Sequence, residues 1–354
     1  MKELVAPKQW LVIAAFAAVY LVWGSTYLAI RFAVETLPPF LMAGVRFLVA
    51  GAVLYGWVCW RQSARPTFTH WRSAIIIGAL LLLCGYGGVA WAEQYLASSV
   101  AVLLIGSVPV WLVLSNWVRR DGVAPGVLEV GGIALGLAGV LLLVAGGNGS
   151  GGEPMHRLGA LVVLFSSLAW AIGSIYSRHA PLPKSALLAT SMEMLAGAGW
   201  LIVAGIVCGE PARIDPGGIS VLSLVSLAYL IVFGSLIGFT AYIWLLQVST
   251  PAKVSTYAFV NPVVAVILGC TLGGEPFTWR ILAATAVIIG GVVLITLHRA
   301  KVTQAPCPIE PCGEREARTE SLGERCDPRL AGRRVVNAPV TEARPCGEPV
   351  GVCE

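Results

Sequence analysis

A charged side chain inside an apolar run needs a partner or a purpose, and this chain has several. Arg46 stands about six residues into the apolar run 40–60, roughly 9 Å deep at helical rise. Glu193 stands about eight residues into the run 185–207. Each such group costs about 2.5–3.5 kcal/mol at a bilayer centre on insertion scales. Either the two face a central cavity, where they handle solute charge or a proton, or each bonds locally to helix carbonyls and hydroxyls. A direct ion pair between them is a third arrangement. Glu93 closes the run 73–91 beside Gln94 and Tyr95. A carboxylate there takes a proton, attracts a cationic solute, or is simply solvated. Asn261-Pro262 and Val108-Pro109 place proline inside two further runs. Proline removes a backbone donor and frees a carbonyl in mid-membrane, which makes a hinge, a cavity wall or a packed kink. Trp23, Trp170, Tyr86, Trp91, Trp244 and Tyr257 supply aromatic cavity walls, with Trp91 and Trp117 also suited to an interfacial belt. Glu129 reads as interfacial, Glu275 as a turn or cap residue before the last run, and His179 as a loop residue.

What is missing narrows the chemistry. The chain has no GxSxG, no HExxH, no paired carboxylates and no Walker A sequence, so neither hydrolysis nor ATP drive is encoded. Of nine cysteines, Cys59, Cys84, Cys208 and Cys270 sit singly in apolar runs as small hydrophobes. The other five lie beyond residue 301 without zinc-ligand spacing. No metal or cofactor is called for. A channel wants a polar ring or filter, and none is visible. A secondary transporter of a small solute is the first reading. A polytopic membrane enzyme or a channel without a recognisable motif is the alternative.

The elements that hold these residues are membrane spans. Apolar residues make up 57% of the 354 and charged ones 12%, with mean hydropathy +0.79, so lipid is the solvent for most of the chain. Ten stretches approach the roughly 20 residues a spanning helix needs: 10–30, 40–60, 73–91, 98–117, 127–146, 158–176, 185–207, 219–245, 254–273 and 279–297. Pro38-Pro39, Asp121-Gly122, the stretch 146–152, Pro181 to Pro183, Glu210-Pro211, Pro251 and Glu275-Pro276 punctuate them. With the N-terminus inside, Lys2, Lys8, Arg61, Arg65, Arg72, Arg119, Arg120, Arg178, Lys184, Lys253, Arg299 and Lys301 fall on the inner face. Only Arg31, Arg157, Arg213 and Arg280 fall outside, and an even number of spans then leaves both termini in the cytoplasm. This basic excess suits an anionic leaflet and calls for no nucleic acid. The division is a cytoplasmic N-terminus over 1–9, five-helix units over 10–147 and 158–298, and a cytoplasmic tail over 299–354. The tail is Pro-, Gly-, Glu- and Arg-rich and reads as disordered.

The two units repeat. A shift of 147 lays Trp23 on Trp170, Arg31 on Arg178 and Arg46 on Glu193. A shift of 153 lays Gly85 on Gly238, Trp91 on Trp244 and Pro109 on Pro262. Five spans is an odd number, so the units enter the membrane from opposite faces. The expected fold is therefore an all-α membrane protein of ten transmembrane helices in two inverted five-helix repeats, an arrangement that serves alternating access. Gly132-x3-Gly136 permits close backbone approach, within the fold or across a homodimer.

The stretch YLVWGSTYLAIRFAVETLPPFLMAGVRFLVAG, residues 20–51, resembles the opening of EamA-type drug/metabolite transporters. TYAFVNPVVAVILGCTLGGEP, residues 256–276, resembles their ninth-helix segment. The likeness covers roughly residues 10–298 and leaves the tail uncovered. It implies ten helices, cytoplasmic termini in an inner (plasma) membrane, and movement of amino acids, metabolites or drugs, often outward, driven by protons or another gradient.

Overall fold

The computed structural model describes residues 8–61, 66–118, 126–144, 156–249, 254 and 256–303. The expectations placed on Lys2, Arg65, Arg119, Arg120, Asp121-Gly122, the connection 146–152, Pro251, Lys253 and the tail cysteines lie outside the described residues.

Apolar sequence with few breakers winds into helices, and among the described residues there is no strand. In chain order the α-helices are α1 (Gln9–Val34), α2 (Pro39–Arg61), α3 (Phe68–Ile77), α4 (Gly88–Ala92), α5 (Ser98–Ile105), α6 (Val108–Val118) and α7 (Val127–Val144). They continue with α8 (Arg157–His179), α9 (Ala186–Val207), α10 (Val221–Tyr229), α11 (Gly238–Val248), α12 (Tyr257–Thr271) and α13 (Trp279–Thr303). Two π-helical stretches, Gly78–Gly87 and Leu230–Ile237, join α3 to α4 and α10 to α11 into continuous rods. Among the described residues seven helical stretches are long and apolar enough to cross a membrane, one of them Ser98–Ser115, which spans α5 and α6. Three shorter apolar helices, Val127–Leu142, Val260–Thr271 and Trp279–Leu294, accompany them. Large apolar side chains such as Trp60 (77% exposed) and Phe68 (85%) stand on the outside, which lipid solvates and water would not. The protein is a membrane protein built of helices.

The core is made of small and branched residues where helices cross, the packing that membranes favour. Ala43, Phe47, Ala50 and Leu54 of α2 meet Met194, Ala198 and Leu201 of α9 and Leu82 of the first π-helix. Val102 and Leu103 of α5 meet Ala265 and Val266 of α12 and Ile281, Ala284, Ile288 and Val292 of α13. A Cβ on Gly291 of α13 would lie 2.7 Å from the Gly132 carbonyl and 2.8 Å from the Gly136 nitrogen. The Gly132-x3-Gly136 face is thus filled from within the chain.

Three boundaries differ from the sequence reading. The run 98–117 is not one unbroken helix. α5 stops at Ile105, Gly106 and Ser107 turn, and α6 restarts at Val108. Pro109 therefore sits in a first helical turn, where its missing donor costs little, while Pro262 lies inside α12. The two prolines match in sequence but not in backbone role. At the chain end, α13 runs on to Thr303, past residue 299 where the tail was expected to begin.

Candidate functional site

The deepest charge is Arg46. Its residue is 1% exposed, on the face of α2 turned toward the second π-helix. Its Nε donates to Ser235 Oγ at 2.9 Å and its Nη1 to the Tyr86 hydroxyl. The guanidinium lies over the Tyr86 ring at 4.5 Å and the Phe47 ring at 4.9 Å, each stack worth about 0.5–2 kcal/mol. Glycine at 234 makes room, since a Cβ there would come within 2.9 Å of Nη2. Among the described residues the only ion pair joins Arg31 to Glu275, so no carboxylate neutralises Arg46. In particular Glu193 does not pair with it. Arg46 is satisfied by neutral oxygens and aromatic faces, and Glu193 is half-buried on α9.

The residues around Arg46 come from both halves of the chain. Trp23 donates its indole N–H to the Gly234 carbonyl at 3.2 Å. Its ring lies 5.3 Å from Phe239, 5.1 Å from Tyr242 and 5.3 Å from Tyr257, edge-on to the first and last. Asn261, 8% exposed, donates its amide to the carbonyls of Tyr257 at 3.2 Å and Tyr20 at 3.3 Å once its side-chain oxygen and nitrogen are oriented by those partners. It and the buried Pro262 fasten α12 to α1.

Residues that the sequence shifts align make reciprocal contacts. Trp23, in the first half, packs on Gly238 at the end of the second π-helix, where a Cβ would lie 2.4 Å from the indole nitrogen. Trp170, in the second half, packs on Gly85 in the first π-helix, where a Cβ would lie 3.0 Å from its ring. These are the pairs that the shifts of 147 and 153 align. π-Helical turns are rare and favour functional sites. Here both occupy the corresponding rod of each half, and each receives the tryptophan of the other. The sequence exposed the glycines and tryptophans but not the change of helix type, which rests on packing between halves.

A second cluster lies where α1 ends and α5 begins. Glu275 follows Gly274, and Glu210 follows Gly209. Those two glycines are the only described residues with positive φ, at 62° and 72°. Each Gly-Glu-Pro turn ends a helix with a left-handed glycine. Each then sends its carboxylate to the N-terminus of another helix. Glu210, 1% exposed, accepts from the backbone N–H of Phe40 at 3.1 Å and Leu41 at 2.8 Å, capping α2. Glu275 accepts from Ser98 N and Oγ, both at 2.7 Å, and from Ser99 N at 3.1 Å, capping α5. Arg31 Nη1 donates to its Oε1 at 2.5 Å. Glu275 is thus a cap as its sequence suggests, but of α5 rather than of the following helix. Arg31, read as a loop charge, is its ionic partner. Burial opposes the Glu275 charge, but the donors of Ser99, Ser98 and Arg31 outweigh it and hold the carboxyl below the usual range. Glu129 likewise turns inward. It is 8% exposed and accepts from Gly126 N at 3.1 Å.

Glu93, just past the end of α4, is the exception. It is 3% exposed rather than solvated, and neither carboxyl oxygen has a hydrogen-bond partner. Burial first, and the nearby Glu275 charge second, push its carboxyl well above the ordinary value, against the opposing pull of Arg31. Tyr27 and Tyr86 lie within electrostatic range of it, so it adjoins the Arg46 cluster.

The sequence profile of the EamA-like transporter family matches the chain twice, over residues 9–145 and 157–297. The chain is similar to the uncharacterized inner membrane transporter YedA of Escherichia coli K12, 40% identical over 297 residues that cover 82% of this chain and 94% of that protein. It is also similar to the uncharacterized transporter YvbV of Bacillus subtilis, at 23% identity over 83% of this chain and 93% of the relative. A crystal structure of a protein 20% identical to this chain shares the fold, with a TM-score of 0.55 over 82% of this chain and 99% of that one.

Proposed function

Because this chain belongs to the EamA-like transporter family, we propose that it is a ten-helix secondary transporter of the inner membrane, with a five-helix unit used twice in opposite orientations and a solute pathway at their seam. Seven long helical stretches and three shorter apolar helices among the described residues support a count of ten crossings. The double profile match supports units over 10–147 and 158–298. The reciprocal tryptophan–glycine contacts supply the relation that alternating access needs. Both termini face the cytoplasm, a placement that the basic residues between the runs support.

Arg46 carries the reading. A buried guanidinium with neutral partners alone is costly unless a counter-charge arrives, and breaking a buried pair costs about 3–5 kcal/mol. The anionic group of a small organic solute, an amino acid or other carboxylated metabolite, is that counter-charge. Tyr86, Ser235, Trp23, Tyr257 and Asn261 line its approach from both halves. Trp170 and Pro109 occupy the corresponding places on the other side, and Glu193 stands apart from the anion site. Flux is outward and driven by an ion or solute gradient. Purified chain in liposomes, offered a panel of amino and carboxylic acids, tests this. Uptake of at least one acid, lost in Arg46→Ala with expression and fold retained, is expected. Equal uptake by Arg46→Ala contradicts the site.

A further inference from the structure

Glu93 is the one described acid whose oxygens are both buried and both without a donor. The groups facing it come from every packed element. α1 brings Tyr27 and Arg31, the first π-helix Tyr86, and the turn before α13 brings Glu275. α8 and α2 also pack on α4. α8 is preceded by His156, stacked on Tyr95 with ring centroids 4.6 Å apart, and starts with Arg157, while α2 brings Arg46, held by Tyr86. Arg31 is the member most open to solvent. Its side chain is 32% exposed, against 1% for Glu275, and among the described residues it donates to Glu275 alone. Glu275 would keep three backbone and hydroxyl donors without it.

We infer that Glu93 is a proton-binding site that exchanges its proton for the Arg31 guanidinium, with Glu275 as the alternative seat of that cation. In the arrangement seen here Glu93 carries the proton, is neutral, and leaves Arg31 on Glu275. When the proton departs to water, the Glu93 carboxylate draws Arg31 across. Glu275 then holds the start of α5 through Ser98 and Ser99 only. α5 ends at the Gly106-Ser107 break that precedes Pro109, so a looser seat turns it about that break. Protonation at one end of the bundle is thereby joined to movement beside the Arg46 site. This rests on the transport reading for its purpose but not for its test.

Infrared titration of the full chain in lipid bilayers tests it without any solute. The wild type is expected to show the carbonyl stretch of a protonated carboxylic acid at neutral pH, disappearing on alkaline titration. That component is absent in Glu93→Gln and displaced in frequency in Glu93→Asp, which serves if the first variant folds poorly. An opposite charge within reach lowers a carboxyl by about 1–3 pH units. Glu275→Gln frees Arg31 for Glu93 and should move the midpoint down by about that much, whereas Arg31→Gln should move it up. An unchanged band in Glu93→Gln or Glu93→Asp overturns the proton site, and a midpoint unmoved by Glu275→Gln overturns the exchange. A protein that passes these tests yet moves no solute refutes the transport reading alone.

Discussion

Glu275 and Glu93 lie near each other at one end of the bundle, and they live in opposite conditions. Glu275 accepts from two backbone N–H groups, a hydroxyl and a guanidinium. Glu93 is at least as buried and accepts from nothing. The first is a charge the fold is built to hold. The second has its neutral form favoured, because desolvation opposes an unpaired charge. Glu210 shows that the well-supplied state is the rule for acids that serve architecture. It repeats the Gly-Glu-Pro turn and the capping of a distant helix in the other half. An acid left without donors beside such neighbours is suited to gaining and losing a proton.

Glu275→Ala should break this contrast most severely. It uncaps α5 and strands Arg31, whose partial exposure softens the loss. A destabilisation of about 3 kcal/mol is expected, read as a fall in Tm in detergent. Glu210→Ala removes a cap with no cation attached and should cost about 1–2 kcal/mol by the same measurement. Glu93→Gln removes the charge the site disfavours but buries an amide without partners, and should cost no more than about 1 kcal/mol, well below Glu275→Ala. A loss as large as that of Glu275→Ala would show that Glu93 is a structural charge after all.

The two acids also predict opposite pH slopes. The Glu275 carboxyl is lowered in the fold, so its contribution is present above its unfolded pKa and fades as pH falls through the folded value. The Glu93 carboxyl is raised, so the folded chain binds the extra proton. Its contribution is present below the ordinary carboxylate value and fades as pH rises toward the raised one. Thermal unfolding against pH should therefore weaken at both ends. Glu93→Gln should abolish only the alkaline loss, whereas Glu275→Gln should abolish the acid loss and move the alkaline one to lower pH.

Much of the architecture was legible because lipid imposes simple demands. Apolar runs of sufficient length mark helices, and the aligned Trp and Gly positions meet in reciprocal contacts. Arg46 and Tyr86 were legible as separate candidates because each is anomalous in its run. Their partnership with Ser235 was not, since no local pattern ties residue 46 to residue 235. Glu193 matches Arg46 in sequence register yet stands outside its cluster, because register in sequence does not fix which helix face meets which neighbour. The Glu275 cap was visible as a turn signal, but its target lies 177 residues away in sequence. The doubled Gly-Glu-Pro was present to be read and is the signal that would have joined Glu210 to Glu275. Glu93 looked like a solvated end residue because sequence cannot show that α1, α2, α8 and the first π-helix pack around the helix whose end carries it.

The most direct test of a proton-coupled pathway at the seam is accumulation of a carboxylated solute in liposomes under an imposed pH gradient. Wild type and Glu210→Gln should accumulate it when the gradient is present and stop when it is collapsed. Glu93→Gln should fail to respond to the gradient at all. Accumulation by Glu93→Gln that follows the gradient as wild type does would contradict the account.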